Sequence, residues 1–330
     1  MKIGLLLPQG YFNEFGGWTP TAAWDRILEV ARLGERLGFD SLWTGEHVLA
    51  KWDPEGFAFD CVTLHTAVAA AVPRVDIGFG VINSTFRNPA MTAKMASTLD
   101  TISGGRLILG LGAGFKISEA SAFGQPFPSL KERMAILSEH FEIISRMTRR
   151  DEPPFSYRGE RAWVENVVNA PRTGGGDHVR LAIGGHGRNV TFPLAARYCD
   201  EINLDAAPHE MAEAMALVRG RCEEIGRDPA TLGIVSGTNP AWPYPGLKSI
   251  GKQRMMRQED VPGIMSADFS TLTTRAEEFA VWVELGLDGL ICGVPGLADT
   301  DEGLYELIDD LHTAGIDLVP SQAATRASGG

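Results

Sequence analysis

Short, almost continuously apolar runs alternate with segments of helical periodicity along the chain. The apolar runs fall at Lys2–Leu7, Ser41–Thr44, Asp76–Ile82, Arg106–Leu111, Arg180–Ile183, Asp200–Ile202, Leu232–Ser236 and Gly289–Cys292. Runs of strand length that are apolar on both faces are expected of parallel strands covered on both sides. Helix-period segments follow each, near Pro20–Leu37, Cys61–Ala71, Pro89–Ile102, Leu130–Thr148, Asn189–Tyr198, Glu210–Ile225, Thr273–Leu285 and Asp301–Ala314. Eight strand–helix alternations predict an α/β fold with crossover helices, closed as a (β/α)8 TIM barrel. An open doubly wound sheet is the alternative. Thr19-Pro20 marks a helix start. Gly38 and Gly286 each stand between a helix and a strand, in two similar turns.

The pattern reads as one domain over residues 1–318, followed by a flexible tail, 319–330. Two stretches exceed ordinary barrel connections, at about 151–179 and 239–270. The first carries Pro153-Pro154, Pro171 and Gly174–Gly176, and the second Pro240, Trp242, Pro243, Tyr244, Pro245 and Pro262. Long insertions of this kind serve as lids or mobile segments. The second follows the seventh strand, which puts it on the catalytic face of a barrel.

Composition changes the picture only by exclusion. The chain has 330 residues, 44% of them hydrophobic and 22% charged, with a net charge of −12. That balance and the lack of a basic stripe speak against nucleic acid and anionic membrane as partners. The longest apolar runs fall far short of the ~20 residues that span a bilayer. The first residues read as a strand and not as a signal peptide, so a cytoplasmic location is expected. Cys61, Cys199, Cys222 and Cys292 lack metal-ligand or disulfide spacing and read as buried hydrophobes. His209-Glu210 is followed by Met211-Ala212-Glu213, so the second histidine of a zinc helix is missing, and no metal is expected.

Four segments could carry chemistry. In the first, the strand Ser41–Thr44 ends in Gly45-Glu46-His47. An acid and an imidazole at that place could face the site and handle a proton, or form a hydrogen-bonded pair of structural use. In the second, Gly78-Phe79-Gly80-Val81-Ile82-Asn83-Ser84-Thr85 puts glycines inside a strand, where backbone can approach a ligand, and polar groups at its end. Arg87 there either holds the loop or faces an anion. The third, Gly110-Leu111-Gly112-Ala113-Gly114, lacks the spacing of a dinucleotide fingerprint but allows close approach of a flat ring or a phosphate. The fourth, Gly184-Gly185-His186-Gly187-Arg188, follows a strand and opens a helix. It reads either as an anion cradle of backbone amides with an added cation or as a plain turn.

Taken in order, these segments resemble the bacterial luciferase-like monooxygenase superfamily, and within it the coenzyme F420-dependent oxidoreductases. The likeness runs from Met1 to about Leu318. It is most specific at Gly38–His47, Arg87–Gly114 and Ile183–Asn203. It implies a barrel with a flavin-like tricyclic ring across the strand ends. Glu46 and His47 match the acid–histidine pair near the ring's reactive edge, and are the expected catalytic residues. Gly80-Val81 matches a non-prolyl cis peptide that backs the ring, and Asn83 a position that hydrogen-bonds it. Gly112, Ala113 and Gly114, with Gly184, Gly185, His186, Gly187 and Arg188, match the loops around the phosphate. Two departures stand out. Ala113 replaces the phosphate-binding arginine of bacterial luciferase, and Phe115 replaces a catalytic glutamate of some F420 dehydrogenases.

The resemblance implies hydride transfer between F420 and an organic substrate. The aromatic residues Phe12, Phe15, Trp18, Trp52, Phe57, Trp242 and Tyr244 lie outside the expected elements and suggest a bulky, partly apolar molecule, although some must be loop anchors. An FMN-dependent monooxygenase using O₂ and a non-catalytic flavin-binding protein are the alternatives. A metal-dependent barrel hydrolase would need more strand-end ligands than Glu46, His47 and Asp205. The family implies a homodimer; Cys61–Ala71 and Pro89–Ile102 carry apolar and small residues suited to such a contact, and a core face reads the same way.

Overall fold

The computed structural model describes residues 1–51, 53, 55–204, 206, 208–237 and 274–320. The insertion 239–270, Trp52, Trp242, Tyr244 and the tail from residue 321 lie outside the described residues. The strands are β1 (Lys2–Leu6), β2 (Ser41–Thr44), β3 (Asp76–Phe79), β4 (Ile82–Asn83), β5 (Leu107–Gly112), β6 (Phe155–Arg158), β7 (Trp163–Val167), β8 (Arg180–Gly184), β9 (Glu201–Asn203), β10 (Gly233–Gly237) and β11 (Gly289–Cys292). The helices are α1 (Pro20–Leu37), α2 (Cys61–Ala71), α3 (Pro89–Ser103), α4 (Ile117–Ala122), α5 (Leu130–Met147), α6 (Thr191–Tyr198), α7 (Pro208–Glu224), α8 (Arg275–Leu285) and α9 (Glu302–Thr313).

Eight parallel staves run in the order β3, β2, β1, β11, β10, β9, β8, β5, and β3 pairs back onto β5 to close the ring. The fold is therefore a (β/α)8 TIM barrel. The expected third strand, Asp76–Ile82, is divided. A cis peptide between Gly80 and Val81 ends β3, and β4 resumes against β5 at Ile82↔Leu111. Local signals set the helix ends. Thr19 caps α1 ahead of Pro20, and Ser129 and Glu132 form a reciprocal capping box at α5. The outward faces of the strands meet the helices in one continuous apolar core, with Ile3, Leu5, Leu42, Ile77, Leu109, Ile183 and Ile202 buried in it. Cys61, Cys199, Cys222 and Cys292 are free and buried. Among the described residues, no helix is long and apolar enough to cross a membrane.

The interior holds a second, smaller cluster of Trp43, Ile108 and Ala182, flanked by Leu6 and Ile291. The indole of Trp43 lies over the neighbouring strands β1 and β3, and its Nε1 donates to Ser41 Oγ at 2.7 Å. Side chains at positions 4 and 78 would overlap that indole, which explains glycine at both. Below it, at the strand starts, Arg180 grips Asp76 through two hydrogen bonds of 2.7 and 2.8 Å. Glu201 shares this layer, with Oε1 buried and unpartnered. Burial raises its carboxyl to about 7, against the pull of Arg180 and Lys2.

The segment 151–179 is no lid. It contains the β6–β7 hairpin and then runs under the barrel between α5 and β8. Asn169 Nδ2 donates to Ser97 Oγ at 2.8 Å and to Met147 O at 3.0 Å, and the Gly174 amide donates to Asp100 Oδ2 at 2.6 Å. The other oxygen of Asp100 receives the Leu107 amide at the start of β5. A helix-to-strand connection emerges where strands begin, opposite the catalytic end.

Two outcomes follow for stability. Gly78→Ala should cost about 2–3 kcal/mol in urea unfolding, because the new methyl must displace Trp43 in a filled interior; an unchanged midpoint would contradict this packing. The folded-state pKa of Glu201 lies above its unfolded value, so its contribution is present below about pH 4.5 and is lost as pH rises through about 7. Glu201→Gln should therefore gain melting temperature over the parent between about pH 5 and pH 8. A difference independent of pH would refute it.

Candidate active site

Glu46 and His47 follow one another at the end of β2 and enter different networks. Glu46 is buried. Its Oε2 accepts the Asn83 amide at 2.6 Å and its Oε1 accepts Arg87 Nε at 2.6 Å. The same guanidinium reaches Asp60 Oδ2 at 2.8 Å, at the N-cap of α2. Arg87 thus ties the second and third strand ends to the start of α2, which decides between its two sequence readings in favour of loop holding. Burial raises the Glu46 carboxyl from its ordinary value, and Arg87 opposes that. Glu46, Asp60 and Cys61 could in principle gather a metal. Arg87 bonds to both carboxylates of that group, so its geometry is that of an ion-pair network.

His47 lies in a wall of ring systems. Tyr11, from the loop after β1, stacks on it with centroids 3.4 Å apart and planes 9° apart. Phe115 meets it edge-on at 5.8 Å. Its Nδ1 lies 3.2 Å from both carboxylate oxygens of Glu119 on α4. Burial lowers its pKa, Glu119 resists, and Lys116 and Lys51 add to the lowering. Burial thus favours the neutral ring. Because a carboxylate accepts, Nδ1 carries the proton, and Nε2 is the acceptor without a hydrogen-bond partner among the described residues.

The cis peptide turns Val81 into the barrel mouth. Its methyls lie where side chains at 112 and 184 would stand, since a Cβ there would come within 2.5 and 3.0 Å of them. Gly112 and Gly184 therefore make room for Val81, whereas the sequence reading places them around a phosphate. Gly80 is exposed beside Val81. Ala113 packs against the core. Asn83 Oδ1 accepts from Thr85 N and Oγ1 at 3.0 and 2.8 Å, and its side chain packs under Gly114.

The Gly185 amide donates to Asn203 O at 3.1 Å and is spent on strand pairing. His186, Gly187 and Arg188 are exposed, and α6 opens later than expected, at Thr191. Arg188 pairs at the surface with Glu213 on α7 at 2.8 Å. Among the expected substrate residues, Trp18 and Phe57 pack on buried Phe15. Phe12 meets Tyr11 edge-on at 4.7 Å, near His47. The structure thus joins His47 with Tyr11, Phe115 and Glu119, of which Tyr11 and Glu119 were missed as site residues. The available signal for Glu119 was a lone acid just after the glycine run.

Residues 1–242 match the luciferase-like monooxygenase family. The chain belongs to this family. Among curated relatives, an F420-dependent glucose-6-phosphate dehydrogenase of Amycolatopsis mediterranei (strain U-32) is 36% identical over 130 residues, 39% of each chain. That of Mycobacterium avium (strain 104) is 30% identical over 214 residues, 64% of this chain and 58% of the relative. The chain thus spans between about two fifths and three fifths of these two relatives. Among solved structures, an F420-dependent secondary alcohol dehydrogenase, in complex with an F420-acetone adduct, superposes with TM-score 0.72 at 19% identity, covering 94% of this chain and 98% of that one. The monooxygenase RslO1 of Streptomyces bottropensis gives 0.69 at 23%, covering 93% and 98%. Both share the fold of this luciferase-like chain.

Arg87→Met should destabilise the protein by about 3–5 kcal/mol, because it leaves Glu46 buried without its counter-ion. Adding Glu46→Gln should recover much of the loss in a double-mutant cycle by chemical unfolding. Strictly additive losses would show that the two side chains do not act as a pair.

Proposed function

We propose that the protein is an F420-dependent oxidoreductase, moving a hydride between the deazaflavin and a bulky, partly apolar organic substrate. The observation that carries this reading is the mouth itself. Val81 and strand backbone form its floor, and the open nitrogen of a neutral histidine stands in its wall. A flat apolar ring system fits such a floor better than a polar sugar would. The named activities of the curated relatives support the same reading.

When bound, F420 supplies or takes up a hydride. The chain's own residues do the rest. Val81 and Gly80 would back the ring, and Asn83 would offer its amide nitrogen. The backbone around His186–Arg188 would hold phosphate, with the Arg188 guanidinium joining it on release from Glu213. His47 Nε2 takes a proton from the substrate or returns one, while Tyr11 and Phe115 exclude water from its ring. Glu46 supports this by holding the loop through Arg87. Phe12 contributes to the substrate wall, with Trp52, Trp242 and Tyr244 expected beside it.

Equilibrium dialysis against F420 and FMN tests the cofactor. F420 should be retained and FMN should not; retention of FMN alone would support a reduced-flavin monooxygenase instead. With an acceptor found by screening F420H₂ oxidation, His47→Ala should lower turnover at least ~100-fold and leave F420 binding within about threefold. Turnover equal to the parent's would remove His47 from the chemistry.

A further inference from the structure

Glu119 is a buried carboxylate that the proposed hydride transfer does not call for. Its side chain is 5% exposed. A buried carboxylate needs donors around it. Here they are the Val48 amide, 3.2 Å from Oε1, and His47 Nδ1, 3.2 Å from either oxygen. The carboxylate therefore grips both the backbone after His47 and the His47 ring.

We propose that Glu119 is a positioning residue for His47. It fixes the ring as the Nδ1–H tautomer and leaves Nε2 as the acceptor at the barrel mouth. The stack on Tyr11 holds the plane of the imidazole, with centroids 3.4 Å apart, but a half-turn about the Cβ–Cγ bond keeps that plane. Stacking alone therefore leaves open which edge of the ring faces out. The carboxylate removes this freedom, because only one flip state presents Nδ1–H to it. It also favours the imidazolium form that a proton on Nε2 creates, against the burial, Lys116 and Lys51 that oppose charge there. The charged and titratable groups around the ring are thus Glu119 on α4, Lys116 just before it, Lys51 after β2 and Tyr11 on its face.

The role of His47 in turnover rests on the function proposed above, whereas its tautomer does not, so the two are read separately. Full-length protein labelled with ¹⁵N in its histidine rings is examined by two-bond ¹H–¹⁵N spectroscopy at pH 7.5, with and without F420. His47 is identified by the signal lost in His47→Gln. The parent should show a protonated Nδ1 and an unprotonated Nε2. Glu119→Gln should shift His47 toward the Nε2–H tautomer. It should also lower kcat by about 10–100-fold, move the acid limb of the kcat/KM profile to lower pH and leave F420 binding within about threefold. Glu119→Asp should recover part of the rate. An Nε2-protonated His47 in the parent would overturn the proposal. So would a tautomer and acid limb unchanged in Glu119→Gln. Loss of F420 binding by the parent, with the Nδ1–H tautomer intact, would overturn the function and leave the positioning role standing.

Discussion

Space inside a ring of eight strands governs this molecule. Such a barrel has an interior that layers of side chains just fill. Here the indole of Trp43 stands with Ile108 and Ala182 in the interior, and glycines at 4 and 78 yield to it. Above it the backbone turns at Gly80–Val81 and carries the Val81 side chain inward over Gly112 and Gly184. The mouth therefore ends in a small apolar platform bordered by backbone. Any ligand of the barrel meets that platform, and the rim decides what else it meets.

The rim separates two charged systems that begin one residue apart. Glu46 joins Arg87 and Asp60, tying strand ends to the start of a helix. His47 joins Glu119 on α4 and lies against Tyr11 from the β1 loop. Each buried carboxylate has donors, as burial of charge demands. The first system holds the scaffold, and the second fixes an imidazole at the rim. Two segments outside the strands, the loop after β1 and the stretch from Phe115 into α4, thus enclose His47.

Much of the architecture was legible in the chain. Eight apolar runs and eight helical periods led to a closed barrel because parallel strands covered on both faces leave that mark. The Gly80–Val81 bulge and the importance of His47 came through the resemblance and not through periodicity. The reading went astray where contacts are distant in sequence. Segment 151–179 resembled a lid by its prolines and glycines, yet Asp100 and Asn169 anchor it beneath the barrel. Gly184 was read as part of a phosphate loop, and the space its missing side chain leaves is filled by Val81.

The order of strands and helices, the caps at Thr19 and Ser129, and the strand-end placement of Glu46 and His47 were determined by the sequence alone, because each depends on neighbours within a few residues. Tertiary structure decided which acid serves which base. Glu119 stands 72 positions from His47, and their 3.2 Å approach exists because β3 pairs with both β2 and β5, which brings the segment after β5 against the end of β2. Local pattern carries no record of such an approach, since the energy that selects it comes from packing the whole ring.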